Sequence, residues 1–146
     1  MLKDFNGWNA ISYKIQNRAH NLFNEREIWW STLGINIGDE EDGKGSGFSR
    51  PIIIVKKFNT HLLWGIPLSM NEKINPYYRV LCANDGINRF AMLSQLRILD
   101  TKRLTRKISV ANINSYNELI IAVKSLFKTQ NGSDKKPLES PRAFVI

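Results

Sequence analysis

The spacing of apolar residues predicts a helix near each end of the chain. Between residues 4 and 23, apolar side chains recur at steps of three and four, which is the period of an amphipathic helix, and Asp4 is its predicted N-cap. Near the other end, Ser115 and Glu118 have the spacing of a capping box. The apolar residues that follow share one helical face: Leu119, Ile120, Val123, Leu126 and Phe127.

Six short segments between these helices have the composition of β-strands. The clearest is residues 51–55, where Pro51 opens a run of four β-branched residues. Proline lacks an N–H and suits the first position of a strand, and the unbroken apolar run indicates a strand buried on both faces. The other predicted strands are residues 27–33, 62–68, 77–82, 89–93 and 95–99. Short strands at this spacing predict a mostly β domain, either a barrel or a sandwich.

A long glycine-rich loop, residues 34–49, leads into the strand that Pro51 opens. Arg50 stands at the junction, where a rigid strand would hold a cation ready to meet a ligand. The alternative is a surface arginine that merely precedes a strand. The same loop contains four consecutive acidic residues at 39–42, which lack the alternating spacing of a calcium loop and are interpreted as solvated.

Composition and charge narrow the possible partners. The 146 residues suggest one domain with extensions, and 21 Lys and Arg against 13 Asp and Glu give a formal net charge of +8. Such a balance favours anionic partners, namely nucleic acid, an anionic membrane or an acidic protein. Positive charge gathers at residues 97–107, which we interpret as a phosphate-binding run. One cysteine, no membrane-length apolar run and no signal-peptide pattern favour a cytoplasmic location.

The familiar catalytic motifs are absent from the sequence, and we predict no metal ion and no cofactor. The two histidines, His20 and His61, fall in the first helix and in a turn, which makes a two-histidine ribonuclease unlikely on sequence grounds. Cys82 and most of the tryptophans are predicted as core, although one tryptophan could stack on a base. Cations, hydroxyls and an amide remain near strand ends: Arg50, Ser69, Ser94, Gln95 and Arg97. Such a set can bind a phosphate and stabilise the phosphorane of RNA cleavage without a metal.

Five short motifs follow one another along residues 26–128: EIWW at 27–30, GDEEDG at 38–43, RPIIIV at 50–55, PLS at 67–69 and LSQLRILD at 93–100. In content and order they resemble the MazF/PemK (Kid) family of toxins from type II toxin–antitoxin systems. The resemblance implies an α+β fold, mostly β with helices: an SH3-like small β-barrel with an N-terminal helical extension and a C-terminal helix. The implied division is an extension at 1–24, the barrel domain at 25–129 and a flexible tail at 130–146.

The resemblance also implies a function. Members of the family are homodimeric, metal-independent, sequence-specific endoribonucleases (mRNA interferases) that cut single-stranded RNA to a 2′,3′-cyclic phosphate and a 5′-hydroxyl. The implied partner is a cognate antitoxin with an acidic disordered segment, which suits the positive charge of this chain. Two alternatives stay open: a non-catalytic toxin of the same fold that poisons a protein target such as gyrase, and an SH3-like interaction module.

The family's functional positions can be transferred residue by residue. Arg50 matches the catalytic arginine, and Ser69 falls where the family usually has a threonine, so that the hydroxyl is kept. Glu41 stands where many members carry glutamine, and Met92 stands where some carry a second arginine. The remaining candidates are substrate-binding residues: Ser94, Gln95, Arg97 and Lys44.

Overall fold

The computed structural model describes residues 2–128, which form two helices and seven strands. The helices are α1, Phe5–Gln16, and α2, Ile113–Ser125. The strands are β1 Glu27–Thr32, β2 Ser49–Lys57, β3 Leu62–Ser69, β4 Tyr78–Cys82, β5 Asn88–Met92, β6 Arg97–Asp100 and β7 Leu104–Val110. None of the helices in this part of the chain is long and apolar enough to span a membrane. The tail predicted for residues 130–146 lies outside the described residues.

All strand pairings are antiparallel, in the order β4-β5-β3-β2-β1-β7, with β6 paired to β3. The α+β prediction is therefore confirmed. Strand β2 lies between β1 and β3, and both of its faces are buried, as its apolar run predicts. Ile53 and Val55 belong to a core that includes Leu119 of α2, whereas Ile52 and Ile54 belong to a second core on the opposite face.

The helices differ in detail from their predicted bounds. Asp4 is the N-cap of α1, and its carboxylate accepts a hydrogen bond of 2.8 Å from the N–H of Gly7. The helix ends at Gln16, well before residue 23. The capping box predicted for α2 is wrong, because the helix begins at Ile113 and the Ser115 hydroxyl accepts from the N–H of Cys82 at 2.9 Å. That contact attaches α2 to the end of β4.

The strand predictions differ from the structure at three places. The segment 93–95 is a single 3₁₀ turn, so β6 starts later than predicted, and β7 was not predicted at all. Arg106 and Lys107 of β7 are charged and exposed, so the sequence lacks the apolar alternation that would predict a strand paired with β1. In addition, β2 begins at Ser49, so Pro51 is the third residue of the strand, opposite Trp30.

The prediction of core tryptophans holds for Trp29, which is buried, but Trp30 is half-buried and Trp64 is exposed.

Candidate active site

Arg50 lies buried at the start of β2, where its guanidinium is held by three partners. Its Nε donates to the carbonyl oxygen of Asp42 at 3.1 Å, and its Nη1 donates to the carbonyl oxygen of Leu68 at 3.2 Å. Its Nη2 forms an ion pair of 2.7 Å with the carboxylate of Glu41. An arginine side chain has five N–H donors in a fixed fork, so these contacts fix its orientation and leave two donors for a ligand.

The loop that supplies two of these partners closes on itself. The carbonyl oxygen of Phe48 accepts from the N–H groups of Leu33 and Gly34, at 3.0 and 3.1 Å. Residue 43 packs so closely on the same carbonyl that a Cβ there would lie 1.8 Å from its oxygen, which only glycine avoids. Lys44 and Ser49 then exchange two backbone hydrogen bonds, of 2.8 and 3.0 Å. The chain therefore enters β2 from an anchored loop base, which helps to place Arg50.

Gln95 holds the acidic part of the loop against the rest of the domain. Its Nε2 donates to the carbonyl oxygen of Asp39 at 3.0 Å, and its Oε1 accepts from the N–H of Glu41 at 2.9 Å. The predicted substrate-binding glutamine thus supports the residue that pairs with Arg50. The acidic run, interpreted from sequence as a solvated loop, is instead partly engaged in contacts with the domain.

An open cavity of about 200 Å³ brings together three of the sequence-predicted residues, Arg50, Ser69 and Lys44. Ser69 is half-buried at the end of β3, and its hydroxyl oxygen accepts from the N–H of Asn71 at 3.1 Å. Because a hydroxyl has one proton to donate besides its acceptor positions, Ser69 can still donate to a ligand. The half-buried indole of Trp30 lines the same cavity.

A second cavity, of about 290 Å³, brings together the other predicted residues, Ser94, Gln95 and Arg97. It is lined by Glu41 as well, so the Arg50–Glu41 ion pair joins one lining residue of each cavity. Burial lowers the pKa of Arg97 from its ordinary value, while the nearby Glu40 carboxylate acts in the opposite direction. Within residues 2–128, no group of three or more His, Cys, Asp or Glu side chains is arranged to hold a metal ion.

Sequence reasoning missed Arg89 as a candidate for the site. This arginine of β5 is 5% exposed and lines the cavity that contains Arg50. Its two terminal nitrogens donate to the two carboxylate oxygens of Asp85, at 3.2 and 2.8 Å. Those hydrogen bonds lower the pKa of Asp85. Arg89 is thus a buried cation of this cavity, three residues before Met92. Alternation along β5 could have indicated it, since residue 89 falls on the buried face of the strand.

Some cations of the basic run at residues 97–107 are already engaged within the domain, and its interpretation as a phosphate-binding run stays a prediction. Arg103 turns inward and donates to the carbonyl oxygen of Thr32 at 3.0 Å, and burial is the main cause of its lowered pKa. Lys107 pairs with Glu27 at 3.2 Å. Only part of the positive charge in this run is therefore available near the two cavities.

Comparison with known proteins identifies the fold and the family. The model of the family described as PemK-like, MazF-like toxin of type II toxin–antitoxin system matches residues 24–127. MazF from Deinococcus radiodurans in crystal form I is similar in structure, with a TM-score of 0.61 and 20% identity over 73% of this chain and 96% of that chain. MazE–MazF from the same organism in form II gives a TM-score of 0.56 and 19% identity, over 73% and 95%. No curated protein gave a significant match. Because the family match covers most of the chain, this protein belongs to the PemK-like, MazF-like toxins of type II toxin–antitoxin systems.

Proposed function

We propose that this toxin is an mRNA interferase, a sequence-specific endoribonuclease that cuts single-stranded RNA without a metal ion. The observation that carries the proposal is the buried, three-point fixation of Arg50 beside the Ser69 hydroxyl in one open cavity. Fixed donors of this kind stabilise charge that develops in a transition state, because they need no reorganisation during the reaction.

The proposed reaction is an internal transesterification at one phosphodiester. The 2′-oxygen attacks phosphorus while its proton passes to a general base. The P–O5′ bond breaks and the 5′-oxygen takes up a proton, which leaves a 2′,3′-cyclic phosphate and a 5′-hydroxyl. Arg50 binds the non-bridging oxygens of the phosphorane, and Ser69 donates a hydrogen bond to the same phosphate. Lys44, Ser94, Gln95 and Arg97 are proposed to contact the flanking nucleotides.

One observation favours a second candidate, the non-catalytic toxin that poisons a protein target such as gyrase. Glu41 already occupies one edge of the Arg50 guanidinium, at 2.7 Å. A phosphate must share Arg50 with this carboxylate or displace it, whereas a toxin that acts on a protein needs no such exchange.

Incubation of the purified chain with a long single-stranded RNA in EDTA distinguishes the two functions. We expect cleavage at a short recurrent sequence, with cyclic phosphate ends detected by mass spectrometry.

Arg50→Ala should lower the rate by about 10²–10³-fold or more, the usual effect of losing a transition-state donor. Arg50→Lys should also fail, because a point charge cannot replace a planar fork. Arg79→Ala, which removes an exposed arginine outside both cavities, is the matched control. Intact RNA, or full cleavage by folded Arg50→Ala, contradicts the proposal.

The domain is further proposed to close as an SH3-like barrel, flanked by the extension 1–24 and the tail 130–146. Contacts between the two outermost strands of the sheet order support closure. Ala83, just after β4, forms a bridge with Ala111, just after β7. The N–H of Asn84 donates to the carbonyl oxygen of Val110 at 2.9 Å, beside this bridge.

The proposed assembly is a cytoplasmic homodimer that also binds an antitoxin through an acidic, disordered segment. The net charge of +8 suits such a segment, and the similarity to MazE–MazF supports a protein partner. Leu119 and Val123 of α2 are buried in the chain's own core, so these two side chains are not available for a dimer contact. Light scattering should give about twice the monomer mass of 16.8 kDa, and a monomeric mass at micromolar concentration contradicts the dimer.

A further inference from the structure

We propose that Lys3 and Trp8 are positioning residues for Arg50, so that the N-terminal segment acts as a brace for the site. Both residues lie before residue 24, where the family match begins. The brace extends the proposed ribonuclease function, because its consequence is measured on RNA cleavage. Its geometry, however, can be tested without any substrate.

Lys3 is joined to Arg50 through a single residue of the loop. Its Nζ forms an ion pair of 3.2 Å with the carboxylate of Asp42, whose backbone carbonyl oxygen accepts from Arg50 Nε at 3.1 Å. The same Nζ donates to the carbonyl oxygens of Asn36 and Gly38, at 2.6 and 2.9 Å. One ammonium thus ties together three points of the loop that carries Glu41 and Asp42.

The Asp42 carboxylate is held from the loop side as well. Its Oδ1 accepts from the N–H of Asn36 at 2.7 Å. Rotation of the Asp42 backbone would therefore break contacts with both Lys3 and Asn36. Because the carbonyl oxygen belongs to that backbone, the partner of Arg50 Nε is fixed by a contact 39 residues away along the chain.

Trp8 holds the two ends of the same loop. Its indole covers Gly34 so closely that a Cβ at that position would lie 2.4 Å from the ring. The ring also meets Phe48 edge to face, with centroids 5.8 Å apart and an interplanar angle of 63°. The Arg103 guanidinium approaches the indole at 5.9 Å. Gly34 and Phe48 are joined by a backbone hydrogen bond of 3.1 Å, so Trp8 packs on the closure of the loop.

The brace is separate from the residues that hold the sheet together. Ile15 is the only buried residue of α1, and neither core of the sheet includes Lys3 or Trp8. Loss of these side chains should leave the strands paired and should loosen the loop. Since a displacement of about 1 Å at a reacting group can cost about 10²-fold in rate, a loosened Arg50 has a measurable consequence.

The test compares Lys3→Met and Trp8→Ala with Lys14→Met, which removes the same charge from an exposed position of α1. We expect Lys3→Met and Trp8→Ala to lower single-turnover cleavage at saturating RNA by roughly 10–10²-fold with KM nearly unchanged. Lys3→Arg should restore most of the rate, and Lys14→Met should behave as wild type. The thermal midpoint of Lys3→Met should stay close to that of the control.

A second readout does not depend on activity. The Nε–H of Arg50, buried and bonded to Asp42, should give a slowly exchanging side-chain NMR signal in full-length protein without RNA. Lys3→Met should accelerate that exchange at least tenfold, and Lys14→Met should not. Wild-type cleavage and wild-type exchange in Lys3→Met would overturn the brace. If even wild-type protein leaves RNA intact, the proposed function fails, while the exchange of Arg50 Nε–H still decides whether the brace exists.

Discussion

Replacing Glu41 by glutamine should make this protein bind RNA more tightly. In the free protein the Glu41 carboxylate contacts Arg50 at 2.7 Å, with 24% of its side chain exposed, against 9% for Arg50. An incoming phosphate competes with that contact. Glu41→Gln keeps an acceptor of the same shape, which still accepts a hydrogen bond from the charged guanidinium, but it removes the ion-pair attraction. For a partly exposed pair that attraction is about 0.2–1 kcal/mol, so displacement of the side chain becomes easier by that amount. This corresponds to roughly 1.4–5-fold in Kd, because 1.4 kcal/mol is tenfold.

The assay is fluorescence anisotropy with an RNA that carries 2′-O-methyl groups and so cannot be cleaved. Asp39→Asn is the matched control, since it removes the same charge from an exposed position two residues earlier. The effect of an exposed charge is screened within about 8 Å at physiological salt, whereas a direct contact with a buried arginine is screened much less. Arg50 loses its ionic partner in Glu41→Gln, so urea unfolding of each variant is needed to verify that it is folded.

The gain of Glu41→Gln over Asp39→Asn should therefore persist when the salt concentration is raised. If Glu41→Gln binds RNA no more tightly than Asp39→Asn, with an equal or higher Kd, the reasoning is refuted. It would show that the phosphate reaches Arg50 through its two remaining donors without displacing the carboxylate.

Three further outcomes are expected. Ser69→Ala should slow RNA cleavage while Ser69→Thr keeps it, and equal rates of all three proteins would remove the hydroxyl from the site. Burial raises the pKa of Glu27, but hydrogen bonds from neighbouring groups outweigh it and leave the pKa lowered. Glu27→Gln should thus lower the free energy of unfolding by about 1–2 kcal/mol at pH 7. This difference should shrink as the pH falls below about 4.5 through the folded pKa, and a pH-independent difference would contradict it. With one phosphate each on Arg50, Lys44 and Arg97, the slope of log K against log salt for single-stranded RNA should be about −2, and a slope of −4 or steeper would implicate further cations, such as Arg89 or the rest of the basic run.

Local patterns predicted the parts of the fold whose causes are local. The run at residues 52–55 indicated burial on both faces because every position is apolar, and Asp4 predicted a cap because its side chain reaches only three residues ahead. Strand β7 escaped prediction for the opposite reason. Its pairing with β1 contains two register shifts, and its outer face carries charges, so no simple alternation marks it.

The candidate site was predictable as a set of residues and unpredictable as a set of contacts. Arg50 and Ser69 do share a cavity, as the motifs suggested. The partners that fix Arg50 were not apparent, because a run of four acidic residues usually indicates a solvated loop. Two of them, Glu41 and Asp42, are drawn inward by cations, and one of those cations is Lys3, far away in sequence. Burial of Arg89 likewise depends on Asp85, a contact that only the folded turn creates.

The two hydrogen bonds between Lys44 and Ser49 have a consequence for how this surface can be altered. They close a small hairpin whose tip, residues 45–47, is exposed and includes two glycines, one with a left-handed φ of 73°. Doubling the length of a flexible loop costs only about 0.6 kcal/mol in closure entropy. Residues inserted between Ser46 and Gly47 would therefore extend beside the cavity while the base of the hairpin keeps Arg50 in register. A segment that contacts RNA bases could therefore be inserted at the tip without changing the residues of the site.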